Sequence, residues 1–225
     1  MDEQRDGARA MRMVRKRPSR PRSRDRYERR RQEVIDIAAR VFAQRGYHAT
    51  TIDDLVEATG LQRGGLYHYI DGKLDLLIAI HERFIEPLLA EARRIAAGDE
   101  PADVKLRALA GALMRDIADY RDQVTVFLHE WRALVATPAW TDIRRARREF
   151  EQIIVDVLVD GRDRGVFAFE DARLTLLAFL GMVNYSYQWY DARVRAGPNA
   201  IADQFADIFL SGIRVRDEAT ARGEH

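Results

Sequence analysis

The segment TTIDDLVEATGLQRGGLYHYIDGKLDLL, residues 50 to 77, holds two short helical patterns on either side of a tight turn, and it constrains the fold more than any other part of the chain. The first pattern opens on Thr51, a hydroxyl N-cap, with a carboxylate three positions on at Asp54, so the first turn has acceptors for its free N–H groups. Ile52, Leu55, Val56 and Thr59 recur at roughly helical spacing, and Gly60 offers the left-handed conformation that ends a helix. In the second pattern, residues 62 to 69, the apolar contribution is mainly Leu66 with parts of Tyr67 and Ile70, while Gln62, Arg63, Gly64, Gly65 and His68 leave a slim polar face. Two glycines in so short a helix cost about 1 kcal/mol each relative to alanine, a poor choice unless another surface must approach the backbone closely. A helix-turn-helix meets DNA in that way, its second helix entering the major groove. The plainer reading makes Gly64 and Gly65 a loop and Tyr67 and Tyr69 ordinary core aromatics.

The remaining chain reads as helix throughout. A first helix over residues 25 to 45 buries Val34, Ile35, Ala38, Val41 and Phe42. A fourth runs from residue 71 or 72 to about 97, with Pro87 inside it where a kink is expected. Asp99 and Pro101 open a fifth, to about Tyr120, and a sixth covers residues 122 to 135. The seventh starts at Thr137-Pro138 and fades between Gly161 and Gly165; the eighth runs from Asp171 to about Arg195; the ninth follows Gly197-Pro198 and ends near Val215. Only residues 166 to 169 offer a strand pattern, and four residues between helices read better as a buried loop. The fold class expected is all-α, with an N-terminal three-helix helix-turn-helix domain, a larger helical bundle and about nine helices.

A chain of 225 residues can bury a full core, and 47% apolar content excludes disorder as a description of the whole. No apolar run approaches the ~18 charge-free residues of a membrane span, and the charged N-terminus lacks the apolar stretch of a secretion signal. With no cysteine there are no disulfides or thiolate metal sites, so the cytoplasm is the expected compartment. The net charge of +1 hides an asymmetry: residues 1 to 31 hold thirteen Lys/Arg against five Asp/Glu, for +8, so the rest sums to −7. Residues 1 to 24, with two prolines and no apolar period, form a disordered basic arm that either binds phosphate or is a solvated tail. Arg26, Arg29, Arg30 and Arg31 stand beside the first helix, where they would touch the backbone of a bound duplex.

Residues 42 to 77 carry a denser signature. Phe42-Ala43-Gln44-Arg45-Gly46-Tyr47, Thr50-Thr51-Ile52-Asp53-Asp54-Leu55, Ala58-Thr59-Gly60-Leu61, Leu66-Tyr67-His68-Tyr69, Lys73 and Leu76-Leu77 together resemble the DNA-binding domain of the tetracycline-repressor (TetR) family of bacterial transcription regulators, over about fifty residues. The sequence departs from that pattern at Gln62, where Ser or Pro is usual, at Gly65, usually Ser or Thr, and at Ile70, usually Phe. The resemblance implies a DNA-binding domain over residues 25–71 and a ligand-binding and dimerisation domain over 72–215, followed by a tail over 216–225. By position in the motif, Thr50, Thr51, Tyr67, His68 and Lys73 would hold phosphates, which set register, while Gln62, Arg63 and Gly64 would face base edges.

The resemblance also implies a homodimer formed by the last two helices, whose stripes are Leu174, Leu177, Ala178, Gly181, Tyr185 and Trp189, then Phe205, Ile208, Phe209 and Gly212. The alternative is that both stripes complete the subunit's own core. It further implies a small-molecule effector pocket, for which Phe84, Leu88, Leu113, Ile117, Tyr120, Phe127, Leu128, Trp131, Phe150, Ile154, Leu180 and Tyr187 are the candidate wall, though any one of them taken singly is better explained as core. His129-Glu130-Trp131 and Gln188-Trp189-Tyr190 look like the corresponding stretches of actinobacterial regulators of lipid and steroid breakdown. The run Arg144, Arg145, Arg147 and Arg148 would suit the phosphates of an acyl-CoA thioester, or equally a solvated face pairing with Asp142, Glu149 and Glu151.

No catalytic constellation competes with this reading. There is no HExxH, GxSxG or P-loop pattern and no His/carboxylate spacing suited to a metal, and no cofactor is expected. Neighbours such as His129 and Glu130 point about 100° apart on a helix and form no dyad. The remaining alternative is a helical partner-binding protein that has lost specific DNA binding.

Overall fold

The computed structural model describes residues 21–191, 193 and 196–215. Residues 1–20 of the expected basic arm and the tail over 216–225 lie outside them, while residues 21–24, expected as disordered arm, belong to a helix. The chain is all-α, and it divides into two units between Ala79 and Ile80, a point within a continuous helix.

The first unit contains α1 (Pro21–Arg45), α2 (Ile52–Thr59), α3 (Arg63–Tyr67) and the opening of α4 (Lys73–Ala97). Helix α1 begins four residues before the expected start, because a proline is well suited to a first helical turn, where its missing N–H would have no partner. Thr51 caps α2 reciprocally with Asp54: the Thr51 hydroxyl accepts from the Asp54 amide at 3.1 Å, and the Asp54 carboxylate accepts from the Thr51 amide at 2.7 Å. These bonds, with Arg45 beside it, hold the Asp54 carboxyl below its ordinary pKa. Gly60 ends α2 at φ 65°, a conformation costly for any residue with a Cβ, and the chain leaves on a new axis. Leu55, Leu66, Ile70, Leu76 and Leu77 fill the core beneath, with Val34, Ile35, Ala38 and Phe42 of α1. Ile70 is buried where the family more often has Phe.

The second unit contains the rest of α4, α5 (Ala102–Asp119), α6 (Arg121–His129), a 3₁₀ turn over Trp131–Leu134, α7 (Ala139–Asp163), α8 (Ala172–Asn184), α9 (Ser186–Trp189) and α10 (Pro198–Ile213). The core lies around α5, whose Leu106, Leu109, Leu113, Met114 and Ile117 are buried among α7, α8 and α10. Two expected helices are shorter than their sequence pattern: the sixth ends at His129, and the eighth breaks after Asn184 into the single turn of α9. Residues 166 to 169 are a loop with one antiparallel bridge, Ala168 donating to the Ile213 carbonyl and Val215 to that of Val166. Phe167 is driven into the core there, directly over Gly161. A Cβ on Gly161 would stand 2.3 Å from the Phe167 ring, so only glycine permits that approach. Among the described residues no helix is long and apolar enough to cross a membrane.

Candidate nucleic-acid interface and effector cavity

The cap at Thr51 and the turn at Gly60 determine how α3 is presented. Leu66 anchors it in the core, and Gln62, Arg63, Gly64, Tyr67 and His68 are all exposed. A Cβ at position 64 would meet nothing within 4 Å, and one at 65 only the Leu61 Cβ at 3.9 Å. The protein's own packing therefore gives no reason for either glycine. Arg63 reaches back to α2, its guanidinium 2.5 Å from the Asp53 carboxylate, with both side chains more than half exposed at 57 and 75%. An ion pair so exposed contributes little and opens readily.

Beside α3, the start of α1 supplies a basic groove of about 620 Å³ lined by Arg26, Tyr27, Arg29, Arg30, Glu33, His68 and Tyr69. The Tyr27 hydroxyl donates to the His68 carbonyl at 3.2 Å, and its ring stands 5.3 Å from His68 and 5.2 Å from Tyr69. These contacts hold His68 and Tyr69 against the start of α1, with Arg29 and Arg30 lining the same groove. Arg30 is paired with Glu33 at 2.6 Å, and Arg29 donates to the Asp25 carbonyl.

The geometry places two of the expected phosphate contacts on the turn after α1. Thr50 is 1% exposed, and its hydroxyl donates to the Gly46 carbonyl at 2.8 Å, so it closes the turn after α1 and faces no ligand. The Lys73 ammonium donates to the carbonyls of Tyr47 and Thr50, both at 2.7 Å, and lies 4.4 Å from the Tyr47 ring centroid. Its charge serves the same turn. Thr51 remains exposed as the α2 cap.

In the second unit a cavity of about 60 Å³ is lined by eight of the expected residues, Phe84, Leu88, Leu113, Ile117, Phe127, Leu128, Phe150 and Leu180. Four others are placed elsewhere. Tyr120 stands exposed at the α5–α6 junction, where the helix axis changes. Trp131 stacks on Trp140 with ring centroids 5.6 Å apart, since the 3₁₀ turn carries it away from α6. Ile154 is fully buried in the core, outside the cavity lining. The Tyr187 hydroxyl meets His129 Nε2 at 2.5 Å and the Gln188 amide.

The sequence reading missed Ile85, Val124, Arg147, Glu151 and Asn184 on the cavity wall. Arg147 was legible only as one of four arginines, yet it lies four residues after Ile143 and three before Phe150, in the register of the buried stripe of α7. Arg144, Arg145 and Arg148 are exposed on the opposite side, lining a surface groove with Trp140. Of the acidic partners expected for the run, Asp142 pairs with Arg145 at 2.7 Å, but Glu149 pairs with Arg93 of α4 and Glu151 with Arg173 of α8.

Helices α8 and α10 each have a buried and an open side. Phe179 and Phe209 meet inside at 5.3 Å between ring centroids, while Leu174, Tyr185 and Ile208 are 66, 65 and 56% exposed. Leu177, Ala178, Gly181, Trp189 and Gly212 are exposed as well. Phe209, expected on the outer stripe, is a core residue, because it shares the inward stripe of Ala202 and Ala206 and stands one helical step from Ile208. Phe205 is half-buried, its ring 6.3 Å from Trp189.

Comparison with known proteins accounts for both units. Residues 34–80 match the family described as "Bacterial regulatory proteins, tetR family", and residues 99–213 match "Tetracyclin repressor-like, C-terminal domain". The HTH-type transcriptional repressor KstR2 of Rhodococcus jostii is 30% identical over 185 residues, covering 82% of this chain and 91% of that protein. The structure of the ketosteroid transcriptional regulator KstR2 of Mycobacterium tuberculosis superposes with a TM-score of 0.79 at 27% identity, covering 83% of this chain and 96% of that one. AibR, solved in complex with isovaleryl coenzyme A and operator DNA, shares the fold with a TM-score of 0.69 at 23% identity, over 80% of this chain and 97% of its own.

Proposed function

The chain belongs to the TetR family of bacterial transcription regulators, DNA-binding proteins rather than enzymes, and from that premise we propose that it is a cytoplasmic homodimeric repressor. In this reading it leaves a palindromic operator when a small hydrophobic effector binds the second unit. The observation that carries it is the presentation of α3: Gln62, Arg63 and Gly64 are exposed in sequence, next to a groove of arginines from α1. Arg63 reads a base edge after letting go of Asp53, and Arg26, Arg29 and Arg30 neutralise phosphates and set register. The outer stripes of α8 and α10 pair two subunits about a two-fold axis, so that two heads meet half-sites spaced by whole helical turns.

The effector occupies the cavity of Phe84, Leu88, Phe127, Phe150 and Leu180. That relatives are repressors named KstR2, one of them a ketosteroid regulator, and that AibR was solved with an acyl-CoA, supports a lipid or steroid catabolite or its acyl-CoA thioester. Release requires that the effector prefer one spacing of the heads, since equal affinity for both would shift nothing.

The test is to incubate the purified protein with sheared DNA of its source organism at about 150 mM salt, where phosphate binding alone is weak, and to sequence what is retained. A sharp palindrome is the expected result. Arg63→Ala should then cost about 1 to 3 kcal/mol on that palindrome and relax its preference at one position. Retention without sequence preference would reduce the activity to non-specific phosphate binding, and no retention would favour a helical protein that has lost DNA binding.

A further inference from the structure

One cation stands in the otherwise largely apolar wall of the cavity. Arg147 projects from the buried stripe of α7, its guanidinium carbon 4.3 Å from the centroid of the Phe127 ring. It donates to the Phe127 carbonyl at 3.1 Å, the one hydrogen bond it makes among the described residues, and arginine has five N–H donors. Burial lowers its pKa from the ordinary value, as expected of a charge whose hydration has been reduced. The acidic residue of the lining, Glu151, opposes that fall with its charge, but its carboxylate is held directly by Arg173 of α8 at 2.7 Å, and it makes no ion pair with Arg147 among the described residues. Asn184 adds a neutral amide to the same wall. A charged fork therefore lines an apolar space with most of its hydrogen-bonding capacity unused by the protein.

We infer that the cavity selects apolar ligands whose polar end is an anion, seated against the Arg147 guanidinium. The inference rests on the reading of this cavity as the effector site and specifies the chemistry of its occupant. A neutral apolar molecule would displace water from the remaining N–H groups and offer nothing in return, whereas a carboxylate, sulfonate or phosphate oxygen replaces that water with a charge-assisted bond. The space is about 60 Å³, well below the roughly 300 Å³ and more of an ordinary ligand pocket, so any ligand of useful size must push the walls apart. Because Arg147 is anchored to α6 through Phe127, an anion that draws the guanidinium inward loosens the contact between α6 and α7.

The test compares two fluorescent molecules with the same apolar body, anilinonaphthalenesulfonate and its neutral counterpart phenylnaphthylamine, titrated into the full chain. The sulfonate is expected to bind about tenfold more tightly or better. Arg147→Gln should abolish that preference by weakening the sulfonate alone, Arg147→Lys should keep part of it, and Arg144→Gln with Arg148→Gln on the outer face should leave it intact. Equal affinities in the unaltered protein would overturn the inference while leaving the cavity reading in place. So would a preference that survives Arg147→Gln or disappears with the outer pair. Failure of both molecules to bind the unaltered protein would remove the cavity reading and this inference with it. If Arg147→Gln binds neither, the charge-retaining lysine variant decides, and loss of the preference there counts against the inference.

Discussion

Lys73 reaches three carbonyl oxygens of the turn after α1, those of Tyr47, His48 and Thr50, at 2.7, 3.4 and 2.7 Å. An ammonium spent on main-chain acceptors holds the entrance of α2 at the end of α1. Lys73→Ala is accordingly expected to lower the stability of the DNA-binding unit by about 1.5 to 3 kcal/mol, the range for hydrogen bonds to a charged group. The slope of log affinity against log salt should stay as it is. A slope flatter by about one unit with unchanged stability would mean that Lys73 holds a phosphate after all. Asp116 on α5 makes the opposite case of a charge held at a cost, burial pushing its carboxyl up to about 6, with Asp119 and Glu91 adding to the rise and Arg115 opposing it. Its unfolded value is near 3.8. A folded pKa above the unfolded one contributes stability that is complete below about pH 4 and is lost as pH rises through about 6. Asp116→Asn should therefore stabilise the protein against urea at about pH 7.5, by about 1 kcal/mol once solvent screening of this partly exposed group is allowed for, and make no difference near pH 4.

Helix α3 is a single element whose sequence conflicts with its own stability. Its two glycines lower helix propensity, neither has a positive φ, and neither would crowd a neighbour if it carried a methyl group. Gly64→Ala is thus expected to stabilise the DNA-binding unit, by up to about 1 kcal/mol in thermal or denaturant unfolding, while weakening operator binding. A gain in both would show that the slim face is not needed by DNA. The elements were legible wherever an end signal was local: the Thr51–Asp54 box and Gly60 bound α2, Asp171 caps α8 through the amides of Arg173 and Leu174, and Pro198 opens α10. They were not legible where packing decides. The apolar pattern of the sixth helix continues past His129, but the chain turns there into a 3₁₀ segment that stacks Trp131 on Trp140. The eighth breaks at Tyr185 for no reason visible in its residue types.

At the scale of the whole molecule, the open sides of α8 and α10 carry Leu174, Leu177 and Ile208 in the water, with Tyr185 and Trp189 exposed beside them at the α8–α9 junction and in α9. Under the proposed dimer these residues are covered, and Leu177→Glu with Ile208→Glu should give a monomer in sedimentation. Its helical content should be unchanged and its operator affinity sharply reduced, because two linked heads bind far better than one. A folded dimer in that variant would place the interface elsewhere. The class of protein was legible in the sequence through the motif resemblance of residues 42 to 77, and the helix-turn-helix itself because capping, the left-handed glycine and helical periodicity act between residues a few positions apart. Tertiary structure decided which side of each stripe is inside. Phe209 and Ile208 are adjacent and equally apolar, yet one faces Phe179 and the other solvent; Arg147 and Arg148 are adjacent and equally charged, yet one lines the cavity and the other the surface. One step along a helix turns a side chain by about 100°, and only the position of the neighbouring helix says where that direction leads.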